Sequence, residues 1–293
     1  VNADQVKGRQ IELLLAELPN DVVASARIQA KQQGVTLNCV FLSAFVCLLR
    51  YLGGAHQVRC GVIQSGRPEA LFDVDKITGC CVNTLPLVVD FEHTQSLESI
   101  INGVHSQLLT LKDSATYPLS KIYKKLKNNI DGDIFDCLFN IESSDYCSSP
   151  GEERPKLIGG YESTNYNFIF GLIEKTNAQS EKDYGLRLGF DNSRYTQDMV
   201  NSWVDIYVNI LTIIGSKSDQ SWSQVKPLPA QDMSRVLQWN DTTTNYPSET
   251  LLADHFENSV RCSPNKTALA FKNIKITYAE LDERTDRLSR LLA

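Results

Sequence analysis

The chain has 293 residues, of which 42% are hydrophobic and 22% charged, as in an ordinary globular protein. Lys and Arg number 29 against 35 Asp and Glu, so the net charge is −6 and a nucleic-acid partner is not expected. No apolar run approaches the ~20 residues of a bilayer span, and the first residues lack the basic and apolar regions of a signal peptide. The composition therefore predicts a cytoplasmic protein that works away from membranes.

Cysteine and histidine spacing argues against a metal or disulfide framework. None of the eight cysteines forms a C-x-x-C pair, although Cys80 and Cys81 are adjacent, and the four histidines show no metal-binding spacing. Cys39 and Cys47 fall inside an apolar helical pattern, where a free cysteine behaves as a small hydrophobic residue. The thiols are therefore interpreted as reduced side chains of a core, and no metal site is predicted.

The apolar pattern predicts alternating strands and helices over the first half of the chain. Asn20 or Asp21, Thr36 and Ser96 can cap helices, and Pro86 places its strand at a sheet edge or at an irregular position. In chain order, the predicted elements are a strand within 10–19, helices from 20 to 33 and after Thr36, strands over 58–63 and 82–91, helices after Ser96 and Pro118, and a strand over 134–141.

The second half begins with a predicted hairpin, formed by strands over 166–174 and 184–190, and a helix capped by Thr196. Beyond Gly215 the composition turns polar and proline-rich, which is typical of a linker, here with one short helix. A new unit follows, with a helix near 251–262, two short strands and a last helix. That helix opens with Thr277 and Glu280 in the spacing of a capping box.

Residues 1–215 are thus predicted to be an α/β domain with a mixed sheet, residues 216–249 a linker, and residues 250–293 the start of another domain. Val1 is not an initiator Met, and the last unit is too short to close a core, so the chain is expected to be a piece of a longer protein. The sequence holds no G-x-S-x-G, P-loop or G-x-G-x-x-G motif, and these patterns alone leave the function open.

One segment carries a more specific signal. Residues Gly79–Leu87 read G-C-C-V-N-T-L-P-L, which resembles the G-x-F-V-N-T-L-P-L motif of condensation domains from nonribosomal peptide synthetases. Other segments resemble further motifs of such synthetases in the family's order, the last two being the linker to an adenylation domain and the opening motif of that domain. They are Gly34–Leu37, Gly61–Pro68, Tyr117–Leu119, Ile134–Phe139, Leu237–Thr242 with Tyr246–Pro247, and Ile276–Leu281.

The resemblance implies a two-lobed domain, each lobe resembling chloramphenicol acetyltransferase, with a tunnel between the lobes. The family's catalytic H-H-x-x-x-D-G motif belongs to the N-terminal lobe, and this sequence has no His-His pair. The chain thus resembles the C-terminal lobe, a mixed-sheet α/β sandwich, followed by the linker and a truncated adenylation-domain start.

The implied activity is amide-bond formation between aminoacyl or peptidyl thioesters carried on the 4′-phosphopantetheine of carrier proteins. The implied partners are the N-terminal condensation lobe, peptidyl carrier proteins and the adenylation domain of the same synthetase. The chain would bind no cofactor directly and, with no catalytic residue of its own, would be inactive alone.

The resemblance also assigns residues to the tunnel. Ser65, Gly66 and Arg67 fall in the floor-loop region, where Arg67 either holds the loop through a carboxylate or a backbone carbonyl, or lies on an ordinary surface turn. Asn83 and Thr84 either line the tunnel or pair with backbone near Pro86. The long polar stretch 142–162 is the candidate strap to the other lobe.

Trp239 and Asn240 are the predicted linker anchor, and Thr277, Tyr278, Glu280 and Leu281 belong to the adenylation opening motif. The sequence departs from the family at Cys81, Ser120 and 131–133, which keeps a non-catalytic scaffold or carrier-docking module of the same fold as an alternative. An epimerising relative is disfavoured, because a condensation domain normally follows such domains and here an adenylation start follows.

Overall fold

The computed structural model describes residues 10–67, 72–91, 96–126, 132–143, 164–176, 182–245 and 250–292. The chain divides into two compact units, residues 1–234 and residues 235–293. The first unit contains the predicted α/β domain and the second contains the elements predicted for the new unit.

A six-stranded mixed sheet forms the centre of the first unit, with the strand order β1-β6-β5-β4-β2-β3. Its strands are β1 (Ile11–Glu17), β2 (Gln57–Gln64), β3 (Asn83–Asp90), β4 (Cys137–Ser143), β5 (Phe168–Thr176) and β6 (Lys182–Asp191). β4 runs parallel to both β2 and β5, and the other neighbouring pairs are antiparallel. The predicted mixed-sheet α/β fold is confirmed.

Helices cover the two faces of this sheet unequally. Four of them pack on one face and share a single hydrophobic core with it, whereas α4 lies against Leu138 and Ile169 on the other face. The helices are α1 (Asn20–Gln33), α2 (Leu37–Gly53), α3 (Leu97–Asp113), α4 (Leu119–Leu126) and α5 (Gln197–Ser216). Burial of apolar surface on one face of the sheet is therefore the main stabilising contribution to this unit.

Local capping signals place most helix ends where the sequence predicts them. The side-chain hydroxyl oxygens of Thr36, Ser96 and Thr196 accept hydrogen bonds from the backbone N–H groups of residues 39, 99 and 199, at 3.1–3.3 Å. The predicted cap of α1 by Asn20 or Asp21 is wrong. Pro19 occupies the cap position, and Asn20 is already the first helical residue.

Two strands differ from their sequence patterns. In β1, Leu13 and Leu15 are 48% and 71% exposed, while Leu14 and Ala16 pack against the core. β4 begins at Cys137 rather than at residue 134, because Ile134 and Phe135 pack beside α4 instead of pairing in the sheet. β3 is an edge strand, as the proline at position 86 predicts.

The first part of the predicted linker belongs to the first unit. Val225 is buried in its core, and the backbone N–H groups of Leu97 and Glu98 donate to the carbonyls of Gln220 and Ser218 at 3.0 and 2.8 Å. The few apolar side chains of this polar stretch are enough to dock it, so the observed boundary follows residue 234 rather than residue 215.

Helices and a small hairpin make up the rest of the chain, with α6 spanning the boundary between the units. These elements are α6 (Ala230–Trp239), α7 (Leu252–Cys262), β7 (Thr267–Phe271), β8 (Ile274–Thr277) and α8 (Tyr278–Leu292). The predicted capping box of α8 is present. The Thr277 N–H donates to the Glu280 carboxylate at 2.9 Å, and the Glu280 N–H donates to the Thr277 hydroxyl at 3.3 Å.

Length and hydropathy of the helices bear on a membrane span. Among the described residues no single helix is long and apolar enough to cross a bilayer. The consecutive helices α1 and α2 reach that length and apolar composition only when taken together, and they are bent by 109° at their junction. Most of α2 is buried in the core of the first unit, as in many core helices of globular proteins.

Candidate functional site

A crevice of about 710 Å³ opens at the carboxyl ends of the parallel strands β2 and β4. Ligands of α/β proteins commonly bind outside the carboxyl ends of parallel strands, where loops converge above the sheet. The walls of the crevice are formed by the start of α2, the end of β2, the segment before β3, part of α3 and the end of β4. The lining residues are Asn38, Leu42, Val62–Ser65, Arg67, Gly79–Val82, Leu108 and Phe139–Glu142.

Arg67 links the loop after β2 to residues 74–77, which come just before the Gly79–Val82 wall of the crevice. Its Nη1 donates to the Val74 carbonyl at 2.6 Å and its Nη2 donates to the Ile77 carbonyl at 3.0 Å. The planar guanidinium can bridge two carbonyls in this way, whereas a lysine ammonium lacks the fork. Arg67 therefore holds the loop through backbone carbonyls, rather than through a carboxylate or as a surface residue of an ordinary turn.

Gly66 lets the two sides of the loop touch. Its φ of +60° lies in the left-handed region, and a Cβ at this position would collide with the Cys81 carbonyl oxygen. A glycine is therefore required here both for its backbone conformation and for the close approach. Ser65 and Arg67, on either side, both line the crevice.

Asn83 bonds to backbone rather than presenting its amide to the crevice. Its Nδ2 donates to the carbonyls of Ala115 and Tyr117 at 2.9 and 2.8 Å, and its Oδ1 accepts from the Thr84 N–H at 3.0 Å. Both ends of the amide are thus used to fix the start of β3 against the turn between α3 and α4. Thr84 follows it, partly buried in β3.

The crevice contains the adjacent thiols. Cys80 is exposed and Cys81 partly exposed, whereas four other cysteines are buried: Cys39, Cys47, Cys60 and Cys137. Burial raises the pKa of the Cys39 thiol to about 11 and that of Cys60 to about 12. The interpretation as core thiols is confirmed for the buried four and is wrong for Cys80 and Cys81, and for Cys262, which is exposed on α7. No group of side chains in the described parts of the chain could hold a metal ion.

Sequence reasoning missed the polar wall contributed by the end of β4. The Asn140 Nδ2 donates to the Glu142 carboxylate at 2.7 Å, and that carboxylate lies 3.6 Å from the Arg187 guanidinium on β6. A signal was available, since Asn140 and Glu142 alternate with Phe139 and Ile141, although the predicted strand stops at residue 141 and Glu142 was assigned to the polar stretch after it. Asn38, in the first turn of α2, was missed because nothing in the helical pattern marks it.

The remaining predicted residues lie in the second unit or outside the described residues. Trp239 is 74% exposed, so its role as a linker anchor, with Asn240, stays a prediction. Tyr278 lies 6.1 Å from Phe256, ring to ring, beside the capping box, and Leu281 follows in α8. The strap candidate 142–162 is wrong at its start, because Glu142 and Ser143 belong to β4, and its remainder lies outside the described residues. Pro68 and the pair Tyr246–Pro247 also lie outside them.

The model of a protein family described as the condensation domain matches residues 2–237, which include the whole crevice. The chain belongs to the condensation domain family. One relative is tyrocidine synthase 2 from Brevibacillus parabrevis, 26% identical over an alignment of 287 positions that covers 96% of this chain and 8% of that protein. Another is malpinin synthetase from Mortierella alpina, 27% identical over an alignment of 303 positions that covers 98% of this chain and 4% of that protein. The chain thus spans only a small part of the length of these relatives.

Solved structures share the condensation-domain fold. A four-domain nonribosomal peptide synthetase bound to AMP and glycine matches 97% of this chain and 22% of its own length, with a TM-score of 0.70 and 15% identity. The X-domain from teicoplanin biosynthesis, in complex with OxyB, matches 76% of this chain and 50% of its own, with a TM-score of 0.64 and 17% identity. At these identities the likeness concerns the fold alone.

Proposed function

We propose that this chain is the C-terminal lobe of a peptide-bond-forming condensation domain in a nonribosomal peptide synthetase. The observation that carries the proposal is the crevice at the ends of β2 and β4, built from the family-like segments 61–67 and 79–87 inside a domain that matches the family model. The domain is an acyltransferase, and the lobe resembles chloramphenicol acetyltransferase in its layered mixed sheet.

The reaction joins an acceptor amine to the carbonyl of a donor thioester and releases the donor thiol. A proton must leave the amine in this step, which calls for a general base. The described residues that line the crevice include no histidine, and the chain has no His-His pair. We therefore assign the base to the N-terminal lobe and expect the isolated chain to be inactive. Ser65, Gly66, Arg67, Asn83 and Thr84 shape and hold one wall of the substrate tunnel.

Both substrates arrive as thioesters on the phosphopantetheine arms of peptidyl carrier proteins, so the lobe itself needs no bound cofactor. The partners are the N-terminal lobe, these carriers and the adenylation domain of the same synthetase, all in the cytoplasm. Residues 235–249, with Trp239 and Asn240, lead toward that adenylation domain, and residues 250–293 form its start. Residues 216–234, the first part of the predicted linker, belong to the lobe. The separate compact unit formed by residues 235–293 supports this division.

The test uses the parent synthetase rather than this chain alone. The intact condensation domain is incubated with two loaded carrier proteins, and dipeptidyl thioester is measured by mass spectrometry. Arg67→Ala in the parent should lower the rate by about tenfold or more, because the loop loses both carbonyl contacts and small misplacements in a site are costly. Lys121→Ala, at an exposed position of α4, is the matched control and should keep the parental rate.

Absence of product from a parent domain with an intact H-H-x-x-x-D-G motif would contradict the acyltransferase proposal. The second candidate is then a non-catalytic scaffold or carrier-docking module. Two observations favour it: Cys81 stands where the family has an aromatic residue, and the X-domain that shares this fold is known in complex with another protein. Retained binding of loaded carriers without product would distinguish the scaffold.

A further inference from the structure

A second cavity, also of about 710 Å³, lies at the opposite end of β2 from the crevice. It is a solvent-open cavity between the end of α2 and the segment 221–227, the part of the predicted linker that docks on the first unit. We call it the Arg50 pocket. Its lining residues are Arg50, Tyr51, Gly54, His56, Phe91, Ser221–Ser223, Val225 and Pro227.

Hydrogen-bond donors dominate the polar lining of the Arg50 pocket. Arg50, Tyr51, His56 and two serines can all donate, and none of the described residues that line the pocket is an Asp or Glu. Ser221 Oγ and Ser223 Oγ are 2.9 Å apart, so one hydroxyl donates to the other and one hydroxyl hydrogen is left to donate elsewhere. A concave surface whose described lining residues include an arginine and no carboxylate favours an anion.

The positive charge of Arg50 is not neutralised by the described residues. Its guanidinium lies 5.8 Å from the centre of the Phe91 ring, and no carboxylate in the described ranges forms an ion pair with it. Its Nε is shielded from solvent and has no hydrogen-bond partner among the residues that the structure describes. An anionic group placed against the remaining N–H groups would stabilise this half-buried guanidinium, because charge-assisted hydrogen bonds are stronger than neutral ones.

The other wall of the pocket is apolar and already in place. The Phe91 and Trp222 rings lie 5.7 Å apart, and Val225 beside them is buried in the core. The segment is fixed further by a β-bridge between Ser221 and Ser96. An aromatic ring of a ligand can therefore pack on this wall while its anionic group meets the arginine, without the wall having to form first.

We propose that the Arg50 pocket binds a small aromatic compound that carries a phosphate or carboxylate group. The volume suits a ligand of that size, since small-molecule sites range over roughly 300–1,000 Å³. The pocket lies entirely within the first unit and at the other end of β2, so this binding site is independent of the amide-forming role proposed for the crevice.

Phenyl phosphate is the probe for this site, and the 293-residue chain is labelled with ¹⁵N at its tryptophan indoles. The Trp222 resonance should shift in a saturable way, with a dissociation constant of about 1 mM or below, as small fragments bind. The Trp203 and Trp239 resonances should stay in place. Phenol and inorganic phosphate, each carrying half of the probe, should bind about tenfold more weakly, and benzoate tests whether a carboxylate replaces the phosphate.

Arg50→Gln removes the charge and should weaken phenyl phosphate binding about tenfold or more, with Arg50→Lys in between. Arg59→Gln, at an exposed position of β2 that does not line this pocket, is the matched control and should bind as the parent chain. The Trp203 indole packs on Phe168 in the core and reports whether each variant is folded. A Trp222 resonance unmoved by about 10 mM probe, or equal binding by folded Arg50→Gln, would overturn the proposal.

Discussion

At the wall of the crevice a single glycine decides how closely two segments approach. Gly66 and Gly34 both have left-handed backbone, with φ of +60° and +66°, but only Gly66 would place a Cβ against another residue, at the Cys81 carbonyl oxygen. The two positions therefore separate the conformational cost of a side chain from its steric cost.

We expect Gly34→Ala to lower the free energy of unfolding by about 1 kcal/mol, the cost of an alanine in left-handed backbone. Gly66→Ala should lower it by about 2–4 kcal/mol, because the wall must also move. Urea titrations of both variants measure the difference. Equal losses in the two variants would show that the loop around Gly66 yields without resistance, against the close approach described above.

At the scale of elements, β3, α3 and α4 meet through one amide. Asn83→Ala would leave the carbonyls of Ala115 and Tyr117 without their side-chain donor and free the N–H of Thr84. The expected loss is about 2–3 kcal/mol of unfolding free energy, from hydrogen bonds worth roughly 0.5–1.5 kcal/mol each. Chemical denaturation measures it.

Asn83→Asp is the informative companion, since it keeps the acceptor oxygen for Thr84 but replaces the donor with a second acceptor. It should be at least as destabilising as Asn83→Ala, because a carboxylate would face two carbonyl oxygens. An aspartate variant as stable as the parent would show that these two carbonyls do not need the amide.

The elements that sequence predicts well are those fixed by local signals. α2 and α5 combine a threonine cap with an apolar stripe, and both begin where the cap predicts. The face of β1 could not be predicted, because Leu13, Leu14 and Leu15 are all apolar and only pairing with β6 decides which side meets the core. The burial of Val225 in the core also depends on tertiary contacts, so it could not be predicted from a polar, proline-rich stretch of sequence.

Only part of the crevice could be predicted from the sequence, because the rest depends on contacts between distant segments. The family-like motifs pointed to Ser65, Gly66 and Arg67, which the structure places at the crevice. The polar pair Asn140 and Glu142 joins them through parallel pairing of β2 with β4, a contact between segments more than 70 residues apart. The local alternation marks Asn140 and Glu142 as one face of a strand, but it does not show which strand lies beside them.

At the scale of the whole molecule, buried thiols spread over α2, β2 and β4 couple folding to pH. Burial raises the thiol pKa values of Cys39 and Cys60 from 9.0 to about 11 and about 12, and raises those of Cys47 and Cys137 as well. The folded state therefore holds these protons to higher pH than the unfolded chain. Their stabilising effect is complete below pH 9 and is lost as pH rises through the folded-state values.

Denaturant titrations in the presence of a reductant should show the free energy of unfolding falling between about pH 9 and 11, by up to about 1.4 kcal/mol per pH unit for each thiol. Cys60→Ala is less stable at every pH because it leaves a cavity, but its slope should be shallower than that of the parent. A parent stability that stays flat across this range would contradict the burial of the four thiols.

The two units should also differ in how readily they open. In the described part of the second unit no side chain is buried, from α7 through β7 and β8 to α8, whereas Phe170, Leu172, Leu186 and Leu188 on β5 and β6 are at most 1% exposed. Regions with few buried apolar contacts open at low free energy, while core strands open only with the whole domain.

Hydrogen exchange of the 293-residue chain should therefore be faster in β7, β8 and α8 than in β5 and β6, by about two orders of magnitude or more. The amides of α5, which packs on the same core, serve as the internal reference and should exchange slowly with the sheet. Equal protection of α8 and β6 would mean that the second unit gains its stability from contacts other than its own side-chain burial, and would refute the difference argued here.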